Sequence, residues 1–152
     1  MKDLVRMRCH EGANLIADLK RQLAAIGKDV KAVRARLPKA LAQQRRDIRS
    51  RLRELVGGKG KVTASQLGEA VSLVRDTDVN EELVRLDSHV GHIRQTLTGG
   101  GSIGKRMDFI AQEMTREINT LGAKVRDPQI ARRVVNVKSA IERIREQVQN
   151  LE

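Results

Sequence analysis

The apolar residues of the first segment fall at Ile16, Leu19, Leu23, Ile26, Val30, Val33 and Leu37, alternating steps of three and four. That spacing keeps one narrow stripe on one side of a helix, the heptad pattern. Pro38 disfavours helical geometry at Leu37 and is expected to end or kink this helix, while its fixed φ suits the first turn of a second one. The second helix is expected from about Pro38 to Val56, with Leu41, Ile48, Leu52 and Leu55 as its stripe. Gly57, Gly58, Lys59, Gly60 and Lys61 follow as a break in pattern, which reads as a linker. The expected organisation is a basic helical hairpin over 1–56, a Gly/Lys linker over 57–62 and a helical bundle over 63–152.

Within that bundle, Thr63 with Gln66 three residues on reads as a capping box opening a third helix to about Arg75, and Asp78 is placed to cap the fourth. The fourth helix, near 79–98, carries Val79, Leu83, Leu86, Val90, Ile93 and Leu97; Gly99, Gly100 and Gly101 stop it. A fifth, from about Ile103 to Leu121, carries Ile103, Met107, Ile110, Met114, Ile118 and Leu121. Asp127-Pro128 is a helix start, with Asp as N-cap and Pro at the first helical position. The last helix then places Ile130, Val134, Val137, Ile141, Ile144, Val148 and Leu151 on one side.

Narrow seams on every helix pack pairwise, so the expected fold is all-α: long amphipathic helices in antiparallel hairpins, joined in a coiled-coil-like bundle. A seam left uncovered favours self-association, and a homo-oligomer is expected. Composition agrees, because one Phe and no Trp or Tyr leave only aliphatic residues and Met to build a core, which suits helices better than sheets. The single cysteine, Cys9, cannot close an internal disulfide, and no apolar run approaches membrane-spanning length. A reducing cytoplasm and no membrane are the expectation.

Charge changes the picture when it is placed along the chain. Of the net +11, all is accounted for by residues 20–61, which hold 14 Lys/Arg against 3 Asp/Glu. A basic block on an otherwise balanced chain suits a polyanion, because phosphate contacts release condensed counterions. In the second helix Arg45, Arg46, Arg49 and Arg53 share a flank of the apolar stripe and can follow one phosphate backbone. The bland alternative is solubilisation of a long exposed helix. An acidic membrane surface is disfavoured by the lack of a bulky apolar face.

Three motifs could carry chemistry. Gly99 to Arg106 contains the glycine and Gly-Lys spacing of a phosphate-binding loop, but Arg106 stands where Mg²⁺ coordination needs Ser or Thr, and the preceding segment is helical rather than a strand. Nucleotide binding there is not expected. On the fifth helix Arg106, Phe109, Arg116, Glu117, Thr120 and Lys124 lie within about 60° of Glu113. Glu113 and Glu117, one turn apart, can hold a hard divalent cation or share acid/base work, with Arg106, Arg116 and Lys124 holding a phosphodiester. On the fourth helix Asp78, Glu81, Glu82, Arg85, Ser88, His89, His92 and Thr96 share a face, where His89 with Glu82 or Glu81 can move protons or bind metal. Surface pairs at helical spacing, and histidines without catalytic duty, are the competing readings of both stripes.

The segments Glu81 to Val90, Ile103 to Phe109, Gln112 to Thr120 and Ile144 to Glu152 resemble successive motifs of the bacterial YicC/YloC endoribonuclease family. Upstream, Arg8-Cys9-His10-Glu11-Gly12, with Leu15 and Asp18-Leu19, more loosely resembles the start of that family's central helical region. Thr115 stands where the family usually has Asn, and Ala123 where Ser is usual; neither touches the acidic pair. The resemblance implies a metal-dependent endoribonuclease using Mg²⁺ or Mn²⁺, and a homo-oligomer of hexameric type that encloses RNA. Family members usually carry an additional N-terminal half with β structure, so the resemblance also implies a fragment of a longer chain, a shortened relative or a companion chain that supplies that half.

The reading that follows is RNA cleavage with Glu113 and Glu117 binding the cation or activating water and His89 or Glu82 assisting proton transfer. Arg85, Arg106, Arg116 and Lys124 contact phosphates, and Arg45, Arg46, Arg49 and Arg53 supply sequence-independent grip. The scarcity of aromatics removes the usual platform for reading bases by stacking. The alternatives are a noncatalytic RNA-binding or adaptor bundle, and a purely structural coiled coil.

Overall fold

The computed structural model describes residues 2–57, 63–65, 67–68, 71, 79–99 and 103–149, with the side chains of residues 2–10, 55 and 56 left aside. Four helices make up the fold among these residues: α1 (Lys2–Gly57), α2 (Asn80–Thr98), α3 (Ile103–Lys124) and α4 (Pro128–Gln149). They form the all-α bundle that the seams require. α1 packs on α4 and α2, and α3 packs on α2 and α4, while the α1/α3 and α2/α4 pairs lie across the diagonals.

The core is the sum of the four seams. Leu19, Leu23, Ile26, Val30, Val33 and Leu37 of α1 meet Leu83, Leu86 and Ile93 of α2, Met107, Met114, Ile118 and Leu121 of α3, and Ile130, Val137, Ile141 and Ile144 of α4. Each fully buried Leu, Ile or Met contributes about 1.5–3 kcal/mol relative to an exposed one. Ile16, expected in the α1 seam, is 37% exposed, and Leu15 is the residue partly packed on the core at that level. Gly122 lets α3 approach α4 closely: a Cβ there would stand 3.1 Å from Val134 Cγ1.

Ion pairs lace each neighbouring pair of helices. Asp29 of α1 pairs with Arg133 of α4 at 2.6 Å, Arg34 with Asp87 of α2 at 2.5 Å, and Asp108 of α3 with Arg145 of α4 at 3.0 Å. The exposed Arg34–Asp87 pair adds little. Arg36 and Asp127 are better shielded. Asp127 Oδ1 accepts the Gln129 and Ile130 amides, at 2.9 and 3.0 Å, and its Oδ2 accepts Arg36 Nε and Nη2 at 3.1 and 2.9 Å. Asp127 is thus the N-cap expected before Pro128, and it also fastens α4 to α1. Burial alone would raise its carboxyl, but the hydrogen bonds from Arg36 and Ile130, the Arg36 charge and the Gln129 amide outweigh burial and hold it below the usual carboxylate range.

Two expectations change. α1 does not end at Pro38, which lies inside one continuous 56-residue helix, so 1–56 is not a two-helix hairpin. An internal proline removes one backbone hydrogen bond and crowds the preceding turn, at a cost of about 3 kcal/mol. Here Pro38 is exposed, so the Arg34 carbonyl can be hydrated, and the seam runs unbroken across it through Leu37, Ala40 and Gln44, all buried. Packing against α4 and α2 outweighs the local preference. The second change is at the start of α2, where Val79 occupies the N-cap without a side-chain cap; Asp78 lies outside the described residues. The third expected helix falls mostly outside them too, although the Leu67 amide donates to the Thr63 carbonyl at 3.1 Å, one helical bond.

Candidate functional site

Two surfaces were expected to carry function, and the fold separates them. The first is the basic stretch of α1. Gln44 is buried and bridges the α3–α4 turn, its Nε2 donating to the Lys124 carbonyl and its Oε1 accepting the Arg126 amide, both at 3.1 Å. Beyond that clamp α1 continues past the turn from Arg45 to Gly57, roughly 20 Å at 1.5 Å per residue. From Arg45 to Glu54 no side chain is buried, and Ile48 and Leu52 are half-buried. Arg45, Arg49 and Arg53 are exposed with no hydrogen-bond or ion-pair partner among the described residues, while Arg46 donates to Gln43 Oε1 at 2.6 Å.

The second surface is the groove between α2 and α3, which run antiparallel. Arg85 Nη1 donates to Glu117 Oε1 at 3.3 Å, and Lys124 Nζ donates to Glu82 Oε1 at 2.9 Å. The two charged stripes therefore meet. Arg85 also pairs with Glu81 one turn back; the Glu117 hydrogen bond and the Glu81 charge raise its guanidinium pKa further and keep it charged. The register set by these pairs puts His89 and His92 level with the turn of α3 that carries Glu113. The two imidazoles lie edge to face, centroids 6.3 Å apart.

The carboxylates of the groove are not equivalent. Glu117 and Glu82 are buried, 5% and 7% exposed, and each faces a cation. Glu113 is half-buried and has no hydrogen-bond or ion-pair partner among the described residues. Among the described residues, Glu82 Oε2 and His89 Nδ1 are buried side-chain polar atoms without partners. Arg106 and Arg116 are exposed on the same side of α3 as Glu113 and are unpaired among the described residues. The arrangement offers one unpaired carboxylate and one imidazole between cations, the components of a proton transfer beside an anion.

Among the described residues no three His, Cys, Asp or Glu side chains come together as a metal site. Glu113 and Glu117 present two carboxylates one turn apart, of which Glu117 already faces Arg85. That is too few to hold a divalent cation without water or substrate oxygens. Elsewhere, a cleft of about 470 Å³ opens between α1 and α4, lined by Arg36, Arg132 and Arg133 among others. Arg36 and Arg133 are engaged by Asp127 and Asp29, which leaves Arg132 as the exposed, unpaired cation of that cleft among the described residues. No helix among the described residues is long and apolar enough to cross a membrane.

Sequence spacing found the members of both stripes but not their pairing. Glu81, which shares that face with His89, pairs with Arg85, a contact its i,i+4 spacing permits. Spacing did not single out Gln44: it is a buried polar residue between Leu41 and Ile48 of the stripe, and a polar residue at helical spacing from a seam is the signal that could have marked it.

The fold and these surfaces define an all-α bundle with a mixed-charge groove and a basic helical extension. Residues 33–152 match the family described as "Endoribonuclease YicC-like, C-terminal". The chain is 34% identical over 150 residues to the probable endoribonuclease YicC of Clostridioides difficile (strain 630), covering 98% of this chain and 51% of that protein. It is 35% identical over 152 residues to the probable endoribonuclease YicC of Haemophilus influenzae (strain ATCC 51907 / DSM 11121 / KW20 / Rd), covering 100% and 52%. The chain belongs to the YicC-like endoribonuclease family. It spans about half the length of the curated relatives it matches.

Proposed function

We propose that this chain cleaves RNA, with the α1 extension gripping the backbone and the α2–α3 groove carrying the chemistry. The observation that supports the reading best is Glu113: a half-buried carboxylate unpaired among the described residues, level with His89 and flanked by Arg106 and Arg116. Glu113 accepts a proton from the attacking hydroxyl, His89 delivers one to the leaving oxygen, and Arg106 and Arg116 stabilise the charge that gathers on the phosphate. Glu117 and Glu82 hold Arg85 and Lys124 in place rather than meeting substrate first. Glu113 and Glu117 would be the protein donors to Mg²⁺ or Mn²⁺, completed by water or substrate oxygens, and such an ion would supply a lowered pKa for bound water and neutralisation of phosphate charge.

Arg45, Arg46, Arg49 and Arg53 give sequence-independent affinity that falls as salt rises. Assembly of several copies around RNA, in a reducing cytoplasm, belongs to the same proposal, as does completion of the nuclease by the half of the relatives that this chain does not span. The test is incubation of the purified chain with end-labelled RNA, with Mg²⁺, with Mn²⁺ and with EDTA. Cleavage that Glu113→Gln lowers by at least a hundredfold, within the range of general-base contributions, supports the reading. Chelator sensitivity decides the metal. RNA bound but never cut is the outcome of the adaptor alternative.

A further inference from the structure

The chain has one phenylalanine and no tryptophan or tyrosine, and the fold leaves that ring in solvent: Phe109 is 63% exposed. Met107 and Ile110, close to it in the chain, are buried in the seam. Burying a Phe is ordinarily worth about 1.5–3 kcal/mol. A bundle short of aromatic residues forgoes that gain at this position. On α3, Phe109 lies one turn from Arg106 and Glu113 and two turns from Arg116, on the face that borders the α2–α3 groove.

The surroundings of the ring indicate what covers it. Lys105, Arg106 and Arg116 are exposed, and the charged head of none of them has a hydrogen-bond or ion-pair partner among the described residues. No other large hydrophobic side chain of α3 is exposed. The centre of a protein interface is depleted of charge and gathers apolar neighbours. A lone ring between unpaired cations is the opposite, and it matches the way single-stranded nucleic acid is held, with a base on an aromatic face and the backbone on positive charge.

We propose that Phe109 is a stacking platform for one unpaired base of the RNA in the α2–α3 groove, with Arg106 and Arg116 on the phosphates to either side of it. The proposal rests on RNA being the substrate of that groove and deepens it, because it assigns the substrate class: the groove takes single-stranded RNA. A base inside a duplex is stacked on both faces and cannot lie on the ring. Preference among bases is weak, since every base presents a π-face.

The test uses Phe109→Trp in the full chain, which creates the only indole in the protein, combined with Glu113→Gln to keep the RNA intact. Anisotropy of labelled RNA reports binding, and indole emission reports stacking. Single-stranded oligoadenylate is expected to quench the emission with the same midpoint as the anisotropy change, and an RNA duplex of equal length to leave it unmoved. Phe109→Ala is expected to weaken oligoadenylate binding about tenfold, a typical loss for one stacked base, with its circular dichroism unchanged. Anisotropy that rises while emission stays flat overturns the platform and leaves RNA binding standing. No anisotropy change overturns both. Emission that follows protein concentration and ignores RNA overturns the platform in favour of a contact between copies of the chain.

Discussion

The same helix behaves in two ways on either side of Gln44. From Leu19 to Gln44, α1 buries a residue every three or four positions and is fastened by Asp29, Arg36 and Gln44 to α4 and its preceding turn. From Arg45 to Glu54 it buries none, yet it carries four of the arginines assigned to RNA. The apolar stripe alone does not distinguish the stretches, since Leu41, Ile48 and Leu52 continue it. What ends at Gln44 is the surface offered by α3 and α4, because the turn between them lies there. Burial is decided by what a seam meets, and the stretch that runs past the described α3–α4 turn is the one that can follow a polyanion.

That contrast can be broken by mutation. Leu23→Ala or Met114→Ala, both fully buried, should each cost about 2–5 kcal/mol in urea unfolding, whereas Leu52→Ala should cost under about 1 kcal/mol because its side chain is only half-buried. Equal losses would mean that the extension is as tightly packed as the bundle. Arg36→Ala comes next. It leaves the buried Asp127 with its amide donors but no guanidinium, and about 1–3 kcal/mol should be lost.

Acid exposes the same fastening. Asp127 has a folded pKa below its ordinary value, so the unfolded chain takes up the proton first as pH falls. Its contribution is fully present above the ordinary aspartate pKa of about 4, and it is lost as pH drops through the folded value. Stability measured against pH should therefore decline less steeply below about pH 4 in Asp127→Asn than in the wild type; parallel curves would remove Asp127 from the acid response. The smallest effect on stability, within about 0.5 kcal/mol, belongs to replacing Arg45, Arg46, Arg49 and Arg53 together by Gln. The same variant should flatten the salt dependence of RNA binding by about 3 in log–log slope, and an unchanged slope would place the grip elsewhere.

Much of the fold could be read before the structure, because heptad spacing and cap chemistry are local. Ile130 to Val148 was visible as a seam, and Asp127-Pro128 as a helix start, from a handful of neighbouring residues. Pro38 misled for the same reason. Its effect is local and unfavourable, and only the packing of Leu37 and Ala40 on distant helices outweighs it. The groove was legible as two stripes but not as a site. Which cation faces which carboxylate depends on the register of α2 against α3, across separations of 32 residues for Arg85–Glu117 and 42 for Glu82–Lys124. That register singled out Glu113 as the unpaired acid of the pair with Glu117. Spacing did place the one phenylalanine, Phe109, on the charged stripe outside the seam, and it is exposed.

The central claim is that grip and chemistry occupy different parts of the molecule, and steady-state cleavage of one RNA by two variants tests it most directly. The Arg45, Arg46, Arg49 and Arg53 to Gln variant should raise the RNA concentration for half-maximal rate at least tenfold, far more than it lowers the rate at saturation. Glu113→Gln should do the reverse, lowering the saturated rate at least a hundredfold with affinity nearly unchanged. If the arginine variant instead loses its saturated rate while Glu113→Gln keeps it, the α1 extension carries the chemistry and the division of labour between the two regions is contradicted.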